Sequence, residues 1–131
     1  MVKCMYAFET EVHLLRDFGL TSKQAKVYLT AARLKPMTPI NQISRESRVG
    51  MEDVYRAITD LERVGLIEKI PDVPIKIKSK SLDEGLLVLI ARQKENAERR
   101  ISFLLARRDE ILRNSATGFR NELDEWDVRK V

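Results

Sequence analysis

The sequence predicts a mainly α protein with a small β component (α+β): three helices and a β-hairpin, then one long C-terminal helix. Three observations predict it. Apolar residues recur at the 3.6-residue helical spacing through most of the chain. Strict apolar–polar alternation appears once, over Ile75-Lys76-Ile77-Lys78-Ser79-Lys80. Glycine (5) and proline (4) are too few among 131 residues for a loop-rich all-β fold.

The elements follow in order. Phe8–Phe18 reads as a short amphipathic helix with Val12, Leu14, Leu15 and Phe18 on its apolar side, ended by Gly19. Thr21-Ser22-Lys23-Gln24 is a capping box. The helix it opens carries Ala25, Tyr28, Leu29, Ala32 and Leu34 near the helical period. Thr38-Pro39 gives an N-cap and a first-turn proline for a helix reaching Ser47 that buries Ile40 and Ile43. After the tight turn Arg48-Val49-Gly50, a helix runs from Met51 to Val64, with Val54, Ala57, Ile58, Leu61 and Val64 as its apolar stripe and Gly65 as its stop. Leu66–Ile70 and Ile75–Lys80 make a two-stranded hairpin around Pro71-Asp72-Val73-Pro74.

Ser81-Leu82-Asp83-Glu84 is a second capping box, opening the long helix. Leu86, Leu87 and Leu89 are expected to pack its start. Ile90, Ala97, Ile101, Leu105, Leu112, Ala116, Phe119, Leu123 and Trp126 then form a heptad-like seam, with Arg108 filling one position. Gly118 costs about 1 kcal/mol against alanine and marks a bend or break near Asn114–Gly118.

Composition narrows the function. At 131 residues there is room for about one domain. The 34% charged content exceeds the usual ~25%, as charge-laced helices require. One cysteine, Cys4, allows no intrachain disulfide and no cysteine-based zinc site. One histidine, His13, on an amphipathic helix, is a poor start for catalysis. No glycine-rich phosphate loop appears. The longest apolar run, Leu86–Ala91, is far short of the ~20 residues that span a bilayer. No signal-peptide core opens the chain. The expectation is a cytoplasmic, non-enzymatic protein without cofactor, metal or membrane partner. The net charge of +4 is unevenly placed: Thr21–Lys80 carries twelve basic and seven acidic residues, whereas Ser81–Val131 is balanced at ten and ten.

Three helices followed by a hairpin is the order of a winged helix-turn-helix, in which the second helix of a tight pair enters the DNA major groove. Here that recognition helix is Met51–Val64. Burying its apolar stripe leaves Glu52, Tyr55, Arg56, Thr59 and Arg63 outside. Arg56 is the first candidate for a base or phosphate contact, because a guanidinium fork suits both. Ser47 and Arg48 lie in the turn near the groove edge. Lys76, Lys78 and Lys80 face outward from the wing strand, where they serve phosphate or the minor groove, or guard an edge strand against aggregation. Glu52 and Asp53 favour the helix dipole but repel phosphate; Glu52 has the chemistry to accept a hydrogen bond from a cytosine amino group.

Phe18-Gly19-Leu20-Thr21-Ser22-Lys23-Gln24-Ala25-Lys26-Val27-Tyr28-Leu29 resembles the opening of TrmB-like archaeal transcriptional regulators. So do Val54-Tyr55-Arg56-Ala57-Ile58 and Asp60-Leu61-Glu62-Arg63-Val64-Gly65-Leu66-Ile67-Glu68-Lys69. The resemblance implies sequence-specific binding of double-stranded DNA by a homodimer, and it carries over to Tyr55 and Arg56. Members often have small or basic residues where Glu52 and Asp53 stand. Larger members carry a sugar-sensing domain, for which no residue here provides a match, so the effector stays unknown. The organisation expected is therefore a winged helix-turn-helix DNA-binding domain over residues 8–80, followed by a long coiled-coil-like dimerisation helix over residues 81–131. The other class open to the sequence is a winged helix that binds protein only, which the acidic helix start would suit.

Overall fold

A computed structural model describes the backbone of residues 2–34 and 36–130 and the side chains of residues 8–34 and 36–115. The elements are α1 (Val2–Arg16), α2 (Ser22–Arg33), β1 (Met37–Pro39), α3 (Ile40–Ser47), α4 (Met51–Val64), β2 (Ile67–Ile70), β3 (Lys76–Ser79) and α5 (Leu82–Lys130). The chain divides into two compact units, Met1–Gln93 and Lys94–Val131.

In the first unit α2 is the central helix. Its capping box forms as the sequence requires: Thr21 Oγ1 accepts from Gln24 N at 3.2 Å, and Gln24 Oε1 accepts from Thr21 N at 3.0 Å. The predicted Ala25, Tyr28 and Leu29 are buried, and so are Val27, Thr30 and Ala31. A helix enclosed by α1, α3, α4 and β3 has no solvent side along most of its length, which is why one apolar stripe understated it. α1 begins before Phe8, where the amphipathic pattern starts, because nothing in Val2–Ala7 breaks a helix. Val12 and Leu15 enter the core, but Leu14 is exposed, one residue off their line.

The sheet departs from the expected hairpin. It has three antiparallel strands in the order β1-β3-β2. Thr38 is therefore a buried strand residue opposite Ile77, not a helix cap. The N-cap of α3 is Pro39, without a side-chain cap bond, and Ile40 N donates instead to Ile75 O at 3.2 Å. The physical reason is backbone pairing: a hairpin alone would leave one edge of β3 with unpaired N–H and C=O groups, and Met37–Pro39 covers it.

α4 spans Met51–Val64, as predicted. Gly65 closes it at φ +94°, in the left-handed region that favours glycine.

The first turns of α5 pack into this same unit. Ser81 Oγ caps them, accepting from Glu84 N at 3.3 Å. Leu89 is buried, and Leu86, Leu82 and Val88 lie against the core. Leu87, expected to pack, is 63% exposed, because it points away from the line through Leu82, Gly85, Leu86 and Leu89. Gly85 sits under the Tyr28 ring, whose hydroxyl donates across to the carbonyls of Lys80 (3.1 Å) and Ser81 (2.9 Å). Burial, with the nearby Glu84 carboxylate, pushes the Tyr28 phenol up to about 12. Its folded value lies above the ordinary ~10, so the linked stability is complete below pH 10 and is lost as pH rises toward 12. Absorbance titration of the tyrosines should show one phenol ionising about two units late, together with unfolding; Tyr28→Phe should remove that step.

In the second unit α5 continues as helix through Asn114 and Gly118 to Lys130. No break interrupts it at Gly118, since one glycine costs about 1 kcal/mol, too little to break a long helix. Arg99 pairs with Glu95 and Arg107 with Glu110 along the helix surface, and Arg100 and Arg107 lie over the Phe103 ring at 5.7 and 4.9 Å. Among the expected interface residues, Ile101, Leu105 and Leu112 are exposed in the chain, as are Ala97 and, in the first unit, Ile90. The side chains of Ala116, Phe119, Leu123 and Trp126, and of Cys4, lie outside the described residues.

Candidate nucleic-acid interface

The site is built on α4. Val54, Ala57, Ile58 and Leu61 are buried, so the opposite face must look outward. Glu52, Tyr55, Arg56, Thr59 and Arg63 fall on that exposed face at helical spacing. Tyr55 is 45% exposed, a large aromatic presented without cover in the chain. The Thr59 hydroxyl donates to Tyr55 O at 3.0 Å and keeps acceptor capacity outward. Arg63 Nη1 is 3.2 Å from Asp60, which also accepts from Gln24 Nε2 at 3.0 Å. Arg63 is thus partly engaged within the chain.

Asp53 behaves differently from expectation. Its carboxylate accepts from Lys23 Nζ of α2 at 2.8 Å, and Arg56 Nη1 stands 3.6 Å away. The Lys23 hydrogen bond, with the charges of Lys23 and Arg56, holds the Asp53 carboxyl below the usual range. One of the two acidic residues at the helix start is therefore charge-compensated by a side chain thirty residues away. Glu52 has no ion pair among the described residues. Asp53→Asn should raise affinity for any duplex about three- to tenfold at low salt, by removing a negative charge beside the binding face. Fluorescence anisotropy with unrelated duplexes checks it; unchanged affinity would place Asp53 outside the contact surface.

The turn contributes Arg48 and not Ser47. Arg48 is exposed and adopts φ +60°, ψ +30°, a left-handed conformation that costs a non-glycine residue roughly 1–2 kcal/mol. Ser47, expected at the groove edge, is buried. Its Oγ donates to Ser44 O and accepts from Val49 N, both at 3.4 Å, while Ser44 Oγ donates to Val49 O at 2.6 Å. Satisfying the turn's own polar groups keeps Ser47 inside.

The wing lysines sit on β3 and its exit. β3 is the central strand, so its lysines do not serve to guard a sheet edge. Lys76 Nζ is 3.5 Å from Asp72, and Lys78 is paired in register with Glu68 of β2. Lys78 and Lys80 share an open groove of about 390 Å³ with Glu68 and Glu84. Lys23, which sequence reading missed, carries no local signal, because its partner is near only in the folded chain. No group of three or more His, Cys, Asp or Glu among the described residues could hold a metal, and no described helix is long and apolar enough to cross a membrane.

No curated protein matches the chain. Among solved structures it resembles TrmBL2, an archaeal chromatin protein, with a TM-score of 0.74 at 20% identity, over 95% of this chain and 47% of that one. The chain thus spans about half the length of that protein. It also resembles the transcriptional regulator Tm0710 from Thermotoga maritima, with a TM-score of 0.50 at 18% identity, over 94% and 90% of the two chains. These likenesses show the fold, a winged helix-turn-helix with a long helix. Residues 15–83, more than half of the chain, match the family described as sugar-specific transcriptional regulator TrmB. The chain belongs to the TrmB family of transcriptional regulators.

Proposed function

We propose that the chain binds double-stranded DNA sequence-specifically as a homodimer and thereby regulates transcription, with α4 in the major groove of each half-site. One observation carries the reading: the exposed face of α4 presents Tyr55, Arg56, Thr59 and Arg63 while its opposite face is locked in the core. A rigidly held helix with a guanidinium fork on its outer face suits a groove about 12 Å wide. Arg56 is the base-reading candidate, with Tyr55, Thr59 and Arg63 beside it and Glu52 placed to accept from a cytosine amino group. Arg48 and the lysines Lys76, Lys78 and Lys80 serve phosphate. The charge compensation of Asp53 weakens the case for a module that binds protein only. TrmBL2, of the same fold, is described as binding DNA in a novel mode, which supports DNA as the partner class.

The homodimer reading rests on the exposed apolar line Ile101, Leu105 and Leu112, continued in sequence by Phe119, Leu123 and Trp126. Two subunits would present their recognition helices to major grooves about 34–36 Å apart. The test is binding to duplexes selected from a random pool, across a salt series. The logarithm of affinity should fall linearly with the logarithm of salt, by about 0.9 per phosphate neutralised. No binding to any duplex at low salt would end the DNA reading.

A further inference from the structure

The exposed apolar line of the second unit contains charged residues. Ile101, Leu105 and Leu112 are 58%, 56% and 46% exposed. Arg108 takes the step between the last two, and three- and four-residue steps back from Ile101 reach Glu98 and then Lys94. All three charged side chains thus stand on the face that a partner would cover. Leu104 and Ile111 flank the same line and are also exposed.

These charges decide how a second copy can lie there. In a parallel, in-register pair each residue of the line meets itself. Lysine would meet lysine at 94, glutamate glutamate at 98, and arginine arginine at 108, which places like charges together where water is excluded. In an antiparallel pair centred level with Phe103, the layers become complementary. Ile101 meets the partner's Leu105, and Glu98 meets the partner's Arg108. Lys94 meets the partner's Leu112, along which its methylene stem lies with the ammonium left in water. Each layer occurs twice, and one surface supplies both of its members, as a two-fold interface requires. Among the described residues Arg108 has an ion pair only with its exposed neighbour Asp109, at 3.5 Å, and Glu98 has none. Such an exposed pair is too weak to hold Arg108 away.

We infer that two copies of the chain pair antiparallel through this face, with Glu98 of each copy opposite Arg108 of the other. The inference rests on the homodimer reading above and gives it a polarity. Sedimentation equilibrium of the full 131-residue chain separates the two. A wild-type chain that stays monomeric at every concentration removes the homodimer reading, and this inference with it, before any variant is made. With a dimeric wild type, E98R and R108E should each raise the dimer dissociation constant about tenfold, since either puts like charges into both copies of the layer. The double variant E98R/R108E restores opposite charges and should return to within about threefold of wild type. Single variants that sediment as wild type overturn the antiparallel register, and so does a loss that the double variant fails to restore. Circular dichroism confirms that each variant keeps its helix. A second measurement is independent of charge: in a C4S background, E98C and R108C should form a disulfide-linked dimer when mixed and not alone. Cross-linking of each variant with itself would mean that the pair is parallel.

Discussion

Gly85→Ala is expected to destabilise the first unit by about 3 kcal/mol, seen as a fall in the denaturation midpoint by circular dichroism. A Cβ at this position would lie 1.9 Å from Tyr28 Oη, 2.8 Å from Tyr28 Cζ and 3.2 Å from Leu66 Cδ2. The Tyr28 ring is fully buried and hydrogen-bonded through its hydroxyl, so it cannot retreat without losing its bonds to the carbonyls of Lys80 and Ser81. Those bonds fasten the start of α5 to α2. Tyr28 contributes more than packing here, because its hydroxyl spans the junction between the sheet exit and the helix. Tyr28→Phe should cost less, about 1–2 kcal/mol, for the lost hydroxyl. In that background Gly85→Ala should be milder, since the nearest atom is gone and the next is at 2.8 Å. A double-mutant cycle reads the coupling directly. Equal costs of Gly85→Ala in both backgrounds would rule out the hydroxyl clash as the cause.

Arg56→Ala should leave stability nearly unchanged and weaken binding to a selected duplex by about 1–3 kcal/mol per half-site, with relaxed sequence preference at one base pair. The stability side follows from exposure: the Arg56 pair with Asp53 is 3.6 Å long and solvated, and such pairs contribute little. The binding side follows from the position of Arg56 on the exposed α4 face. Lys78→Ala provides the contrast. Removing an ammonium that neutralises phosphate should weaken all duplexes alike and reduce the salt slope by about one. If Arg56→Ala lowers affinity equally for every sequence, Arg56 touches phosphate and the base-reading role belongs elsewhere on α4, with Tyr55 and Thr59 next in line.

Much of the fold was legible because it is written locally. The Thr21–Gln24 capping box, the apolar stripe and glycine stop of α4, and the alternation around Ile77 are patterns within one element; the first two formed, and the third formed as the shorter strand Lys76–Ser79, which buries Ile77 and leaves Ile75 exposed. The misreadings have a common cause. Thr38 looked like a cap because Met37–Pro39 is too short to read as a strand, and only β3 makes it one. Leu87 and Leu14 looked like core residues because periodicity gives a face without saying which part of it meets a neighbour. Ser47 looked available because its burial comes from the turn's hydrogen bonds with Ser44 and Val49.

By itself, then, the sequence determined the helices, the winged-helix order and the outer face of α4, since these follow from backbone propensity and the period of apolar residues along one stretch of chain, and it pointed to the family through the particular residues of two segments, Phe18–Leu29 and Val54–Lys69. The tertiary structure alone decided the third strand, the burial of Ser47, the fit of Gly85 beneath Tyr28 and the pairing of Lys23 with Asp53. Each of those joins groups distant in sequence, and the free energy that fixes them, from desolvation, hydrogen bonding and close packing, exists only once the chain has brought the groups together.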